Sequence, residues 1–406
     1  MRPADHEARR TAIILSATHA IVGSAAFISV SLGALAGHDL LGTDKSLATA
    51  PVTCFNLGVA LGALPAASIV RALGKRNGFM GGCLVTALGG AAATAGLYAA
   101  SFWLFGFGLL LVGVGNAFVQ QYRFAAADSA TPAFKARAIS LVLAGGIVTA
   151  VIGPQVVIFT RDLLAPVMFA GAFAGVIMLG LAGTGILFWL KRPAEALPAA
   201  GGASSHAALA GTARPLSEIV TQPRFIVALI CAVCAFTLMT FVMTGAPLAM
   251  VGCGFSPDAA TLGISWHVMA MFGPSFFTGR LISRFGKERM VTLGLALLVG
   301  CAAVALSGIH LWQFWTALIL LGLGWNFGFI GATAMVADSY AESEKSKVQG
   351  FHDFVLFGSV AVASLLSGAV YNAWGWTMLN WVIFPVVFMC LAALGMLALG
   401  TRRVAA

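Results

Sequence analysis

Two spaced pairs of side chains stand out for the chemistry they could do. Met239 and Met243 are four residues apart, and so are His267 and Met271. A helical turn is about 3.6 residues, so on a helix each pair lies on one face. Thioethers are soft, neutral ligands that favour Cu(I) over Zn, Mg or Mn. They bind without losing a proton, whereas thiols must ionise to bind strongly. Such ligands suit a site that must also release what it binds. Counting along the two apolar segments puts both pairs at similar depth. Antiparallel neighbours would then offer three thioethers and one imidazole to a common point. The competing reading is packing, because Met is an ordinary filler of apolar gaps and the chain has 14 of them. His267 resists that reading, since an ionisable residue inside a membrane helix is a functional candidate by default.

Other groups are open to two readings each. Cys231 and Cys234 share a helical face. They offer a relay that takes a soft metal onward from the Met pair, or two small core residues. Cys253, just past the same segment, offers an entrance ligand. His352 and Asp353 open a later segment, and Asp353 is the clearest carboxylate within one. It is a candidate proton carrier for coupled transport, or an ion-pair partner at the membrane interface. His19 is a second candidate proton site, or a hydrogen-bonded packing histidine. Asn56, Asn116 and Asn326 fit helix–helix hydrogen bonding. Trp266 could wall a substrate cavity or face lipid. There is no nucleophile–base constellation and no nucleotide-binding loop, so an enzyme is the least expected class, and no prosthetic group is expected.

The elements that must position these residues follow from composition. The chain is 60% hydrophobic and 9% charged, with a mean hydropathy of +0.95. Soluble domains carry about 25% charged residues. A hydrocarbon core needs about 20 apolar residues per helix, and about twelve such segments are legible. They cover 11–36, 47–70, 78–99, 102–122, 138–160, 165–190, 224–249, 259–281, 290–308, 312–336, 349–371 and 377–400. Residues 191–223 hold Pro193, Pro198, Gly201, Gly202, Ser204, Ser205, Gly211 and Pro215, the composition of a flexible linker. The expected fold is an all-α membrane protein. A six-helix bundle over 1–190 and another over 224–406 would flank a central cavity, joined by a cytoplasmic linker. The net charge of +9 sits in short clusters between apolar runs. With the N-terminus inside, only Lys45 and Arg161 of the 23 Lys and Arg fall outside. Both termini are therefore expected in the cytoplasm, with the chain spanning an inner membrane. No soluble basic face exists for nucleic acid. Seven Cys lie mostly inside apolar segments, which argues against a disulfide framework. Arg2, Arg9 and Arg10 precede a run long enough to span, so no cleavable signal peptide is expected.

The halves repeat one another. Arg71-Ala72-Leu73-Gly74-Lys75-Arg76 is echoed by the stretch Gly279–Arg289. Asn116 precedes Asp128-Ser129 as Asn326 precedes Asp338-Ser339, and Lys135 and Arg137 match Lys345 and Lys347. Repeated halves around a central site are the general plan of secondary transporters. Gly279–Arg289 resembles the cytoplasmic loop motif of the major facilitator superfamily, with Ser283 where that family usually has Asp. Gly146 through Gly153-Pro154 loosely resembles a Gly-Pro motif of exchangers.

A narrower likeness runs from Met239 through Pro247 to Met250, then through Trp266-His267 and Met271 to Gly279. Gly324–Gly328, Val348–Phe354 and Gln120–Asp128 extend it. These stretches resemble the CcoA-type copper importers of bacteria, which use a Met-x3-Met and a His-x3-Met pair, matched here by Met239/Met243 and His267/Met271. The resemblance implies copper import into the cytoplasm by alternating access, supplying assembly of a cbb3-type cytochrome oxidase. Copper would be the substrate rather than a cofactor, handed to a cytoplasmic acceptor. The same wider group contains riboflavin importers. The alternative cargo is therefore riboflavin or another small organic solute, and an aromatic-lined cavity would support it. A membrane sensor that binds copper without flux is the rival from another class.

Overall fold

A computed structural model describes residues 3–131, 134–190 and 214–405. Most of the expected linker, with Pro193, Pro198, Gly201, Gly202, Ser204, Ser205 and Gly211, lies outside the described residues. What is described is almost wholly helical. In hydrocarbon every backbone polar group needs a partner, and a helix supplies them within one segment.

The first crossing is α1 (Pro3–Val22) continued by α2 (Ser24–Leu40), with a break only at Gly23. α3 (Ala50–Tyr98) supplies two crossings because it reverses at Gly74, φ 78° and ψ 160°. The reversal is tight: a Cβ placed on Gly78 would lie 2.8 Å from Val70 Cα. α4 (Phe102–Asp128), α5 (Lys135–Thr160) and α6 (Ala170–Leu187) complete the first half. The short α7 (Leu216–Val220) leads into α8 (Pro223–Gly252). α9 (Pro257–Phe272) and α10 (Ser275–Phe285) share one crossing broken at Gly273-Pro274. α11 (Lys287–Leu306) and α12 (Leu311–Ala337) follow. α13 (Lys345–Trp381) turns at Gly375, φ 73° and ψ −171°, into the last crossing with α14 (Ile383–Ala405). The expected twelve crossings are thus present. Nine helices or joined helices among the described residues are long and apolar enough to span as units. The difference comes from turns too tight to interrupt the helix and from the break at Pro274.

Buried apolar side chains gather into one cluster drawn almost wholly from the second half and two from the first. Lipid tails are as apolar as leucine, so close packing has to hold the helices together. Gly58 and Gly113 show how closely α3 and α4 approach. A Cβ on Gly58 would lie 2.1 Å from the Leu110 carbonyl oxygen, and one on Gly113 2.0 Å from that of Phe55.

The internal repeat is visible atom by atom. Gly74 and Gly286 adopt the same turn, with φ 78° and 90°. The following lysines do the same work. Lys75 Nζ donates to the Ala125 carbonyl and Ser129 Oγ, each at 3.0 Å. Lys287 Nζ donates to the Ala334 carbonyl at 3.1 Å and to Asp338 at 2.5 Å. Each lysine thereby neutralises a helix C-terminus, where carbonyls lack partners. Ser283, in the place of the family's usual Asp, bonds back to the Gly279 carbonyl of its own helix.

The entry to the second half is clamped. Arg214 donates to both carboxylate oxygens of Glu344 at 2.9 Å, and Lys347 donates to the Arg214 carbonyl. Glu344 is buried, and its hydrogen bond from Arg214 and that from the Ala341 amide hold its carboxyl down, to about 2.

Polar links between the halves gather toward the face away from the termini. Thr49 Oγ1 donates to the Leu365 carbonyl at 3.2 Å and accepts from the Gly368 amide at 3.1 Å. Thr53 and Ser364 are 3.0 Å apart. Ser265 donates to the Ala150 carbonyl, and Arg161 pairs with Asp258 at 2.9 Å. The other far-face cation, Lys45, donates to the His38 and Leu41 carbonyls at the end of α2.

Two outcomes follow. Gly286 has a backbone that side chains tolerate poorly, so Gly286→Ala is expected to cost about 1–3 kcal/mol. A fall in the thermal midpoint in detergent checks it. Because folding lowers the Glu344 pKa, its pairing stabilises above the ordinary value of 4.5 and is lost as pH falls toward about 2. Glu344→Gln should melt lower than wild type at neutral pH and lack wild type's further fall across that window.

Candidate binding site between the two halves

The second half presents a cluster of rings at mid-depth. Phe236 of α8 meets Trp325 edge-on at 5.4 Å and Phe329 at 5.1 Å. Trp325 and Phe329 of α12 stack at 5.2 Å with planes 17° apart. Phe272 of α9 and Phe357 of α13 close the group at 6.1 Å and 6.3 Å. Helical spacing explains the assembly, because Trp325 and Phe329 are one turn apart on one face. Trp325 Nε1 is buried with no partner, whereas a buried indole N–H ordinarily finds one. Phe272 also borders a cavity of about 30 Å³ lined by Ser140 and Leu143 of the first half and by Ser275 and Phe276 of the second. The aromatic group therefore reaches the seam between the halves.

Asn326 holds this wall in shape. Its amide nitrogen donates to the Met271 carbonyl at 2.6 Å and to Ser275 Oγ at 2.8 Å, and its oxygen accepts from Thr278 at 2.6 Å. It stitches across the helix break at Pro274, where an interior carbonyl loses its amide partner. The expected helix–helix role of Asn326 is the one seen.

The first half contributes polar groups. Asn116, Gln120 and Arg123 recur at helical spacing on one face of α4. Arg123 is exposed, and it interacts electrostatically with Asp353 of α13 across the seam and with His19 of α1. Asn56 lies on the α3 face that carries Thr49 and Thr53, below the sealed contacts. Asp353 is exposed one turn from Phe357, and its Oδ1 is 3.0 Å from His352 Nδ1. His352 is buried. His19 Nδ1 lies 3.1 Å from the Val142 carbonyl, against Gly145 and Gly146. One wall thus offers π faces and the other amides and charges.

The sequence-expected ligands pack within the same cluster of the second half as Trp325 and its neighbouring rings. Met239 and Met271 are buried and Met243 half-buried, all in one apolar cluster. His267 is fully buried, with Nδ1 2.8 Å from the Leu318 carbonyl and Nε2 unpartnered. Cys231 and Cys234 adjoin Cys390 of α14 within that cluster. Cys253 is exposed at the end of α8, and Trp266 is exposed beside His267. Sequence reasoning did not single out Phe236, Phe272, Phe329, Phe357 or Arg123 as site residues. The ring pair spaced i, i+4 on α12 was a signal, but 29 Phe make such pairs common.

The profile of the Major Facilitator Superfamily matches residues 12–307 and 228–406. The chain is 50% identical over 387 residues to the riboflavin transporter RfnT of Brucella anthropi, covering 95% of each chain. It is 32% identical to the MFS-type transporter YdeG of Bacillus subtilis, over 89% of this chain and 86% of that one. In fold it matches the crystal structure of the POT family transporter PepTSo with a TM-score of 0.68, covering 97% and 98% of the two chains at 12% identity. Relatives and fold alike are those of membrane transporters rather than enzymes. The expectation of copper import is corrected here, because a relative 50% identical over 95% of both chains is a riboflavin transporter. The physical reason is that a thioether pair at helical spacing packs an apolar wall as readily as it ligates a metal. From the profile, the relatives and the twelve-crossing fold together, the chain belongs to the Major Facilitator Superfamily.

Proposed function

We propose that this chain imports riboflavin across the plasma membrane of a bacterium by alternating access. The observation that carries the reading is the 50% identity, over 95% of both chains, to a riboflavin transporter. The seam supports it chemically. Riboflavin joins a flat heteroaromatic ring to a chain of hydroxyls and carries no net charge. The ring suits the Trp325–Phe329 stack and its edge-on neighbours, and the hydroxyls suit Asn56, Asn116 and Gln120. Arg123 and Asp353 sit nearer the terminal face, where opposite charges offset one another. With His352 and His19 they are the titratable groups we assign to coupling.

The distribution of Lys and Arg places the terminal face in the cytoplasm in this reading. The polar links on the far face then close the external side. Transport requires those links to break and others to form on the opposite face.

Uptake of radiolabelled riboflavin by a riboflavin auxotroph lacking its own importer tests the cargo. Wild type should exceed empty-vector cells, and excess unlabelled riboflavin should compete. Trp325→Ala removes a stacking face worth about 1–3 kcal/mol, so uptake at low concentration should fall about tenfold, with Trp325→Phe retaining most of it. A correctly inserted wild type without flavin uptake would sink the proposal. A second outcome concerns the external seal. Arg161→Glu should slow uptake, and the swap Arg161→Glu/Asp258→Arg should restore it. An unrescued swap would deny that pair its role.

A further inference from the structure

Away from the seam, the terminal face carries a cavity that the transport reading does not use. It has a volume of about 430 Å³ and is lined by His6, Arg9, Arg10, Ile13 and Ile14 of α1 and by Trp189 just past α6. Arg9 and Arg10 are exposed and make no ion pair among the described residues. One turn deeper into the membrane the lining becomes apolar. Ile13 is 48% exposed and Trp189 70%, which places bare hydrocarbon and an indole directly beneath two free guanidinium groups. The neighbouring Phe188 carries the Arg76 guanidinium 4.1 Å above its ring, which adds a third cation to this edge.

Charge at the rim and apolar surface below is the layering of a phospholipid. Guanidinium groups form forked hydrogen bonds with phosphate oxygens. Basic pockets between membrane helices bind anionic headgroups in this way, and Trp settles at headgroup level. We infer that the cavity between the terminal ends of α1 and α6 binds one anionic phospholipid of that leaflet. Arg9 and Arg10 hold its phosphate, and an acyl chain runs along Ile13 and Trp189. A free phosphate ion would satisfy the arginines but leave the apolar floor unfilled, so the lining favours the lipid. The inference does not depend on the cargo, because none of these residues lines the seam.

The test is native mass spectrometry of the full chain from nanodiscs of equal phosphatidylglycerol and phosphatidylethanolamine. Wild type should retain phosphatidylglycerol preferentially with one copy bound. Arg9→Gln/Arg10→Gln should lose that preference, by about fivefold per arginine. Arg280→Gln/Arg284→Gln, on the terminal side of the second half, should keep it. Trp189→Ala keeps both charges and should also weaken retention, which guards against a poorly folded double variant. Phosphatidylglycerol should raise the melting temperature of wild type but not of the arginine variant, and inorganic phosphate should raise neither. Equal retention by wild type and both site variants, or an equal thermal shift from inorganic phosphate, would overturn the proposal.

Discussion

A backbone carbonyl or amide left unpaired in hydrocarbon costs several kcal/mol, and every major feature of this chain answers that constraint. It makes the chain a stack of helices. It confines the reversals at Gly74, Gly286 and Gly375 to turns that only glycine adopts comfortably. It also sets Asn326 beside the one crossing that proline breaks, where its side chain supplies a partner for the Met271 carbonyl and a bridge to Ser275 and Thr278. That repair fixes the bend of α9 into α10, and the bend brings Phe272 to the seam.

With the backbone satisfied, polar side chains are free for the seam and the terminal face. The far-face links of Thr49, Thr53, Ser265 and Arg161 are few and mostly neutral, which suits contacts that must separate repeatedly. The two halves then differ in what they offer. Five rings from four helices form one wall, and the α4 stripe of Asn116, Gln120 and Arg123 forms the other. An aromatic ring with a hydroxylated tail matches that division of labour, whereas a bare metal ion would leave the ring wall without a role.

The fold was legible in the sequence because hydrophobic length and charge placement are dictated by the bilayer. The repeat was equally legible, and Lys75 and Lys287 show it in matching hydrogen bonds. The expected boundaries missed the extension of α13 back to Lys345 and the joining of crossings at Gly74, since tight turns leave little trace in composition. Residue spacing did not decide between copper and the alternative, riboflavin. Met239, Met243, His267 and Met271 have the spacing of a soft-metal site, but the same spacing serves a packed wall, and His267 turns one nitrogen to the Leu318 carbonyl. Phe236, Phe272, Trp325, Phe329 and Phe357 come from four helices, and no local pattern announces their meeting. Arg123 gave no local signal, because the carboxylate it interacts with electrostatically, Asp353, is in the other half.

Flavin fluorescence gives the most direct test of the central claim, since stacking against an indole quenches it. Titrating riboflavin with the purified protein should give saturable quenching at one site per chain, lost in Trp325→Ala and unchanged by added copper. Quenching that survives Trp325→Ala, or none at all from a folded protein, would contradict the assignment of the ring wall to a flavin.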